Sequence, residues 1–321
     1  MKWLKLLFFP ALLILHGCSS MGISAQPLAE LTEKYTDDTS KFMAVDDLVI
    51  HYQDEGTGPT LVLLHGVASH LQTWDGWVER LAPHYRIIRI DLPGHGLTGN
   101  DPTVERYEIA YMVDKLEKFL NKLSIDEIYL AGNSLGGYFA WNYALHRPDR
   151  VKKMVLIDAA GFPQDMPFIM SFAAMPVIGG MTSMMMPKFI VNMNINAAYG
   201  DDDKVKDELT QRYFDLTMRE GNREALVNVF RTMKEQSSNP HLGDRVKEIK
   251  TPTLLMWGDQ DEWVPLEILA QFDEALPNSK SIVYEGVGHM PMEELPVQTS
   301  RDAHGFFTLG KTLDSPIAVD Y

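Results

Sequence analysis

The sequence predicts an α/β protein with a mostly parallel, eight-stranded-type sheet flanked by helices and an inserted helical, Met-rich cap. Three observations lead to this prediction. Short apolar runs alternate along the chain with stretches whose apolar residues have helical spacing. The run LVLLH at residues 61–65 is continuous, as expected for a strand that is covered on both faces. The alternation stops between Ala160 and about Val246, and strand signals resume at Thr251.

The remaining strands and helices follow the same two periodicities. Further strands are expected at residues 48–53, 85–91, 128–131, 154–157, 253–257 and 281–284. Helices are expected at residues 111–123 and 135–146, in the connections that a parallel sheet requires. The interrupted region begins with many methionines and continues as a more polar helical section. We therefore expect a main domain at residues 42–160 and 247–321, with the cap at residues 161–246.

Composition limits the classes of function. The chain has 321 residues, of which 45% are hydrophobic, and a formal net charge of −15. Nucleic-acid binding is disfavoured, because the neutralisation of phosphates needs clustered Lys and Arg. Cys18 is the only cysteine, so no disulfide can form within the chain. The sequence contains no HExxH, CxxC or histidine cluster, and we expect neither a metal nor another cofactor.

The N-terminus predicts export. Lys2 and Lys5 precede an almost unbroken apolar run at residues 6–15, which is too short to span a bilayer comfortably. The sequence LHGC that ends at Cys18 resembles the bacterial lipobox, although His16 stands where a small residue is usual. This resemblance implies a signal peptide at residues 1–17 and a lipid on Cys18, with a plain cleaved signal or an uncleaved anchor as alternatives.

The rest of the N-terminal region extends this prediction. Residues 18–41 are polar and predict a lipidated tether that lifts the domain off the membrane. The residue after Cys18 is Ser19 rather than Asp. In this respect the sequence resembles lipoproteins that are passed on to an outer membrane. We therefore expect a membrane-anchored bacterial lipoprotein of the outer membrane.

The motif GNSLG at residues 132–136 follows a predicted strand and opens a predicted helix. In this strand–turn–helix context, G-x-S-x-G presents its serine on a sharp turn, and the helix N-terminus stabilises developing negative charge. Glycines on either side let the strand and the helix approach the turn without clashes. Ser134 is therefore predicted to be a nucleophile, and the alternative is a Gly-rich turn with an inert serine.

Four other loops follow predicted strands. They are HGV at residues 65–67, DLPGHG at residues 91–96, WGDQD at residues 257–261 and GVGH at residues 286–289. Together with the GNSLG motif they resemble the α/β-hydrolase family of serine hydrolases, over about residues 61–294. Within that family the chain is similar to bacterial esterases and lipases and to membrane-associated monoacylglycerol lipases.

The resemblance implies a role for each loop. His289 would be the base, and Asp261 would orient it, in the chain order Ser134, Asp261, His289 that this fold uses. Asp259 is the alternative acid, although it is expected to shape the loop instead. The main-chain N–H groups of Val67 and Leu135 would form the oxyanion hole.

Two histidines in these loops are expected to be structural rather than chemical. His65 is expected to hold its turn by a hydrogen bond. His95 belongs to a turn that resembles the D-x-P-G-x-G turn of the family, and it is not the predicted base.

The resemblance implies an esterase or lipase that acts on apolar acyl esters through a Ser-His-Asp triad and an acyl-enzyme. Its partners would be a small ester or lipid substrate and, through Cys18, a membrane. One alternative is a serine hydrolase that cleaves a carbon–carbon bond, since the elbow of this chain also resembles the G-N-S-x-G-G elbow of such enzymes. Another is a non-catalytic, ligand-binding surface lipoprotein. The Met-rich segment could bind Cu(I), but its admixture of Phe and Ile favours a flexible apolar cap over an acyl pocket.

Overall fold

A computed structural model describes residues 21–308 of the chain. Its eight strands, in chain order, are β1 Ser40–Val45, β2 Leu48–Glu55, β3 Thr60–Leu64, β4 Arg86–Ile90, β5 Ile128–Asn133, β6 Val151–Ile157, β7 Thr253–Gly258 and β8 Ser279–Tyr284. They form one sheet in the order β1-β2-β4-β3-β5-β6-β7-β8. β1 and β2 are antiparallel to their neighbours, and the other pairs are parallel. The predicted fold class is confirmed.

Helices connect and cover the strands. Outside the cap they are α1 Leu28–Tyr35, α2 Asp75–Leu81, α3 Ile109–Lys122, α4 Leu135–His146, α10 Leu266–Ala275, α11 Pro291–Glu294 and α12 Pro296–Thr308. α4 packs on β5 and β6, and α2 packs on α12. Strands β3 and β7 are buried along almost their whole length, because helices cover the sheet.

The cap connects β6 to β7. Its helices are α5 Phe168–Ala173, α6 Pro176–Met184, α7 Lys188–Ala198, α8 Asp207–Thr217 and α9 Asn222–Ser237. The long helix α9 packs against both α5 and α6, and α7 packs against α8. The cap lies outside the sheet, because an insertion between two strands of a sheet must fold there.

The parallel strands deliver several loops to the same edge of the sheet. Gly132 of β5 pairs with Leu64 of β3, and Asn133 pairs with Ile157 at the end of β6. β7 and β8 end alongside, where Gly258 pairs with Tyr284. Because the carboxyl ends of parallel strands meet at one edge, the loops that carry Val67, Ser134, Asp261 and His289 are brought together there.

The segment before the sheet is folded, which corrects the prediction of a tether at residues 18–41. Leu31 of α1 is buried against Leu97 and Leu216. The Lys34 ammonium and the Tyr35 hydroxyl both donate to Oδ2 of Asp215 in α8, at 2.6 and 2.7 Å. The polar composition gives no sign of this, because the interactions that hold the segment are one buried leucine and hydrogen bonds to residues far away in the chain.

The contact between this segment and the cap begins at Gly22. Its carbonyl accepts hydrogen bonds from the Met186 N–H, at 3.1 Å, and from the Arg223 guanidinium. The expected signal peptide at residues 1–17 and the expected lipid site at Cys18 lie outside the described residues. Between residues 21 and 308, no helix combines the length and the apolar character needed to cross a bilayer.

Candidate active site

Ser134 lies on the sharp turn between β5 and α4. Its backbone has φ +55° and ψ −115°, which is strained for a residue with a Cβ atom. The Ser134 N–H donates to the Ile157 carbonyl at 2.9 Å, so the turn is anchored to the end of β6. This geometry is that of the nucleophile elbow that the GNSLG motif predicted.

Two glycines allow the elbow to touch the loop after β3. A Cβ atom on Gly136 would lie 2.2 Å from the Leu64 carbonyl oxygen, and one on Gly66 would lie 2.8 Å from Oδ1 of Asn133. Either contact is too short for non-bonded atoms, so only glycine fits at these positions. The helix N-terminus that starts at Leu135 is therefore held directly against the turn that contains Val67.

This contact brings together the predicted oxyanion donors, the N–H groups of Val67 and Leu135. Among the hydrogen bonds of the described part of the chain, no protein acceptor takes up either N–H. Both residues are nearly buried, so a negative oxygen bound there would be shielded from water.

His289 and Asp261 form a buried pair. The His289 Nδ1 atom lies 2.7 Å from Oδ2 of Asp261. Oδ1 of Asp261 accepts from the N–H groups of Trp263, at 2.7 Å, and Val264, at 3.1 Å. With both oxygens engaged the carboxylate has one orientation, and it fixes the imidazole with its proton on Nδ1.

The other ring nitrogen of His289 is available for chemistry. In the part of the chain that the structure describes, the buried Nε2 atom has no hydrogen-bond partner. His289 also borders a cavity. The unprotonated Nε2 is therefore the atom that can take a proton from an attacking hydroxyl group.

Asp259 has a different environment. Its Oδ1 accepts from the Gly286 N–H at 2.7 Å and from the Gln260 side chain at 3.2 Å. These contacts join the loop after β7 to the loop after β8 and do not involve His289. The geometry supports the expectation that Asp261 orients the base and that Asp259 shapes the loop.

Asn133 was not singled out from the sequence, although it precedes the elbow serine. Its Nδ2 donates to the Ile157 carbonyl at 3.2 Å and to the His289 carbonyl at 3.1 Å. The residue next to the predicted nucleophile thus holds the loop that carries the predicted base. The only sequence signal was its position in the motif, because its two acceptors are far away in the chain.

A second carboxyl group, Asp158, lies at the end of β6 near Asp261. It is fully buried, and its Oδ1 accepts from the Gly258 N–H at 3.0 Å. Burial, together with the charge of Asp261, raises the pKa of Asp158 well above its ordinary value. The raised pKa favours the protonated, neutral form of Asp158 beside Asp261, and this form avoids a second buried negative charge in the site.

This protonation predicts a pH dependence of stability. The unfolded chain releases the Asp158 proton above about pH 4 while the native protein keeps it, so the free energy of unfolding falls as pH rises, by up to about 1.4 kcal/mol per pH unit. Asp158→Asn removes this contribution, because the amide has no proton to release. Urea unfolding at pH 5, 6 and 7 should show the wild type losing stability relative to Asp158→Asn; parallel pH profiles would show that Asp158 is ionised in the native protein.

The cavity that borders His289, which we call the main cavity for that reason, lies between the cap and the elbow and has a volume of about 250 Å³. Cap side chains make most of its wall, including Ile169, Ile178, Met185, Ile190, Leu226 and Phe230. Val67, Asn133 and His289 line it from the core side. None of the described residues that line it is Asp, Glu, Lys or Arg.

One side of the cavity is polar. The Ser69 and Tyr213 hydroxyl groups lie 3.1 Å apart, and the Tyr213 hydroxyl donates to Glu293 at 3.0 Å. Glu293 also accepts from Thr73 and Tyr199, and burial raises its pKa. This network fastens cap helices to the core. It was missed from the sequence, where Glu293 resembles any acidic residue in the first turn of a helix.

His65 and His95 hold main-chain turns. The His65 Nδ1 donates to the Gly66 carbonyl at 2.7 Å, and its Nε2 accepts from the Leu92 N–H at 2.9 Å. The His95 Nδ1 lies 3.1 Å from the Pro93 carbonyl. These contacts agree with the structural roles that were expected. Across residues 21–308, no group of three or more His, Cys, Asp or Glu side chains could hold a metal ion.

Comparison with known proteins gives a consistent family. A model of the alpha/beta hydrolase fold matches residues 59–191 and 196–296. The chain is 31% identical over 267 residues to a 2-hydroxy-6-oxononadienedioate/2-hydroxy-6-oxononatrienedioate hydrolase of Paraburkholderia phymatum, with 78% of this chain and 89% of that protein covered.

Solved structures agree on the fold. A meta-cleavage product hydrolase from Pseudomonas fluorescens IP01 has a TM-score of 0.74 at 24% identity, over 83% of this chain and 97% of that one. A thermophilic esterase from Thermogutta terrifontis has a TM-score of 0.71 at 23% identity, over 84% and 97%. At these identities the likeness concerns the fold, and it extends to enzymes of two different reactions.

Proposed function

The chain belongs to the alpha/beta hydrolase fold family of serine hydrolases, and on this premise we propose that it hydrolyses carboxylic esters with an apolar, uncharged acyl chain. The observation that carries the proposal is the cavity beside the Asp261–His289 pair, which has an apolar cap wall and no charged side chain in its described lining. An apolar acyl chain gains about 0.8 kcal/mol for each methylene that it buries there.

The proposed reaction uses the residues already described. Ser134 Oγ attacks the ester carbonyl while His289 Nε2 takes its proton, and Asp261 stabilises the imidazolium that forms. The N–H groups of Val67 and Leu135 bind the oxyanion, and each such donor contributes about 3 kcal/mol to transition-state stabilisation. The alcohol leaves with the proton from His289. Water, activated by the same nitrogen, then releases the acid from the acyl-enzyme.

Hydrolysis of a carbon–carbon bond is the second candidate, and the names of the curated relatives favour it over ester hydrolysis. The same serine, base and oxyanion donors could serve both reactions, because in each of them a carbonyl carbon is attacked and its oxygen becomes negative. The named substrates of those relatives are dicarboxylates. A carboxylate buried in an apolar cavity needs a cationic partner, and the described lining offers none. Because an uncharged ester needs no such partner, we propose ester hydrolysis as the first candidate function.

The proposal predicts the dependence of activity on acyl length. With p-nitrophenyl esters of two to twelve carbons, kcat/KM should rise from acetyl to medium chains by up to about fourfold per methylene. The matched control is a pair of esters of equal length, p-nitrophenyl butyrate and p-nitrophenyl hemisuccinate. The hemisuccinate should be much the poorer substrate, because its carboxylate finds no partner in the cavity.

Two results would contradict this proposal. A steady decline in kcat/KM from acetyl onward would show that the cavity does not hold the acyl chain. The second is faster turnover of a 2-hydroxy-6-oxo-dienoate, measured by the loss of its absorbance, than of any ester. This result would identify the enzyme as a carbon–carbon hydrolase.

A further inference from the structure

Three cap helices, α5, α6 and α7, carry large apolar side chains on the side that faces solvent. Phe168, Val177, Met184 and Phe189 are 81%, 76%, 73% and 61% exposed, respectively. Met175, Met181 and Met193, on or beside the same helices, are also exposed. We call these seven side chains the cap face. Single exposed apolar residues are common on proteins, but a contiguous stretch of three helices that shows so many is not.

The opposite side of the same helices lines the main cavity. Ile169, Ile178, Met185 and Ile190, each next in sequence to a cap-face residue, contribute to the cavity wall. These helices are therefore apolar on both sides, whereas a surface helix normally carries polar residues towards water. Residues 166–187 contain no charged side chain at all.

Phe172 links the two sides. It lines the cavity and is also 43% exposed. The cavity and the cap face thus meet at α5, so a molecule that covers the cap face would lie at an edge of the cavity.

The N-terminal segment indicates what covers the cap face. Near the start of the described residues, the Gly22 carbonyl accepts a hydrogen bond from the Met186 N–H, two residues after Met184. The sequence before Gly22 contains the predicted lipid site, Cys18. Four residue steps separate Cys18 from Gly22, so an extended chain spans at most about 14 Å between them. A membrane that held Cys18 would therefore lie within that distance of Gly22, which is bonded to the chain just after α6.

The net charge of the protein indicates which kind of lipid surface the cap face could contact. The chain carries a formal net charge of −15, which opposes approach to anionic lipid. The uncharged cap face fits a zwitterionic bilayer, into which an apolar helix face can sink without burying a charge.

We propose that the cap face docks on a zwitterionic lipid bilayer and that the cavity opens beside it. The docking itself needs no catalytic activity. Delivery of an ester from the bilayer to Ser134 is the part that rests on the proposed function.

The test uses the full chain with Cys18→Ser and one new cysteine that carries a polarity-sensitive fluorophore. Val177→Cys and Met184→Cys report on the cap face. Val49→Cys and Val297→Cys, on β2 and α12, are matched controls because these valines are 49% and 53% exposed. Phosphatidylcholine vesicles that contain a spin-labelled lipid should quench the cap-face probes by about half, because docked helices sink about 5–10 Å into the interface. The control probes should keep their intensity.

Three outcomes would overturn the proposal. Quenching at none of the four positions would mean that the cap face stays in water. Equal quenching at all four would mean that no particular face docks. A blue shift that grows with protein concentration, without vesicles and without quenching by the spin-labelled lipid, would mean that the cap face covers a second copy of the chain.

Aspartate substitutions on the cap face distinguish membrane docking from ester hydrolysis. Val177→Asp together with Met184→Asp should abolish quenching of a probe at Phe189→Cys, while Val49→Asp with Val297→Asp should not. Because neither cap-face residue lines the cavity, hydrolysis of soluble p-nitrophenyl butyrate should be unchanged. A wild type that docks but hydrolyses no ester would leave the docking intact and remove only the proposed function.

Discussion

Replacing Ser134 with alanine is expected to lower kcat/KM for p-nitrophenyl butyrate by about five orders of magnitude. Without the hydroxyl group no acyl-enzyme forms, and only binding and the oxyanion donors remain to accelerate direct attack by water. The fold should be unaffected, because alanine and serine have the same Cβ atom and meet the same strain at φ +55°. Steady-state kinetics and a urea unfolding curve for each protein measure the two effects.

Ser69→Ala is the matched control for this prediction. Ser69 is also buried and lines the main cavity, but its hydroxyl lies 3.1 Å from the Tyr213 hydroxyl and belongs to the network that joins the cap to the core. Its replacement should change kcat/KM by less than about tenfold, which is the cost of one neutral hydrogen bond. Activity of Ser134→Ala within tenfold of the wild type would remove Ser134 from the mechanism.

Asp261→Asn is expected to lower kcat by about four orders of magnitude. The N–H groups of Trp263 and Val264 both donate to Oδ1 of Asp261, so the amide oxygen of asparagine will occupy that position. The amide NH₂ then faces Nδ1 of His289 and donates to it. This forces the imidazole proton onto Nε2, where the base must be unprotonated to take the serine proton.

Asp259→Asn tests the specificity of this effect. Asp259 accepts from the Gly286 N–H and does not contact His289, so its amide variant should keep kcat within a few-fold of wild type. Comparison of kcat for the two variants, with unfolding curves to exclude misfolding, decides the assignment. A larger loss in Asp259→Asn than in Asp261→Asn would exchange the two roles.

The sequence predicted the loops around the site because each loop has a short motif of adjacent residues. The elbow needs glycine at residue 136, since the β3 carbonyls lie where a Cβ would be, and this requirement leaves a mark in the motif. The loops that carry Asp261 and His289 likewise follow strands directly, and they contain glycines at which the chain turns. Such signals can be read from five or six adjacent residues.

Contacts between distant segments left no such mark. Asn133 holds the His289 carbonyl, and Glu293 joins Thr73 to two cap tyrosines, through partners that lie 80 or more residues away. The first strand, Ser40–Val45, is an edge strand with few buried residues, so its pattern is weak. Helix α1 has no clear local signal either, because Lys34 and Tyr35 bond to Asp215, which no local pattern connects to them.

The attachment of α1 to the cap has a mechanical consequence. An insertion between two strands normally has two covalent hinges, here residues 158–167 and 238–252. Because residues 22–35 contact the cap and the chain then continues directly into β1, residues 36–39 form a third covalent connection between the cap and the sheet, at the edge strand β1. Three attachment points prevent a rigid lid from swinging about a single axis, unless the bonds of Lys34 and Tyr35 to Asp215 break first. We therefore expect the cap to open by movement of side chains and short helices within it rather than as one rigid body, and the flexible methionines are suited to that.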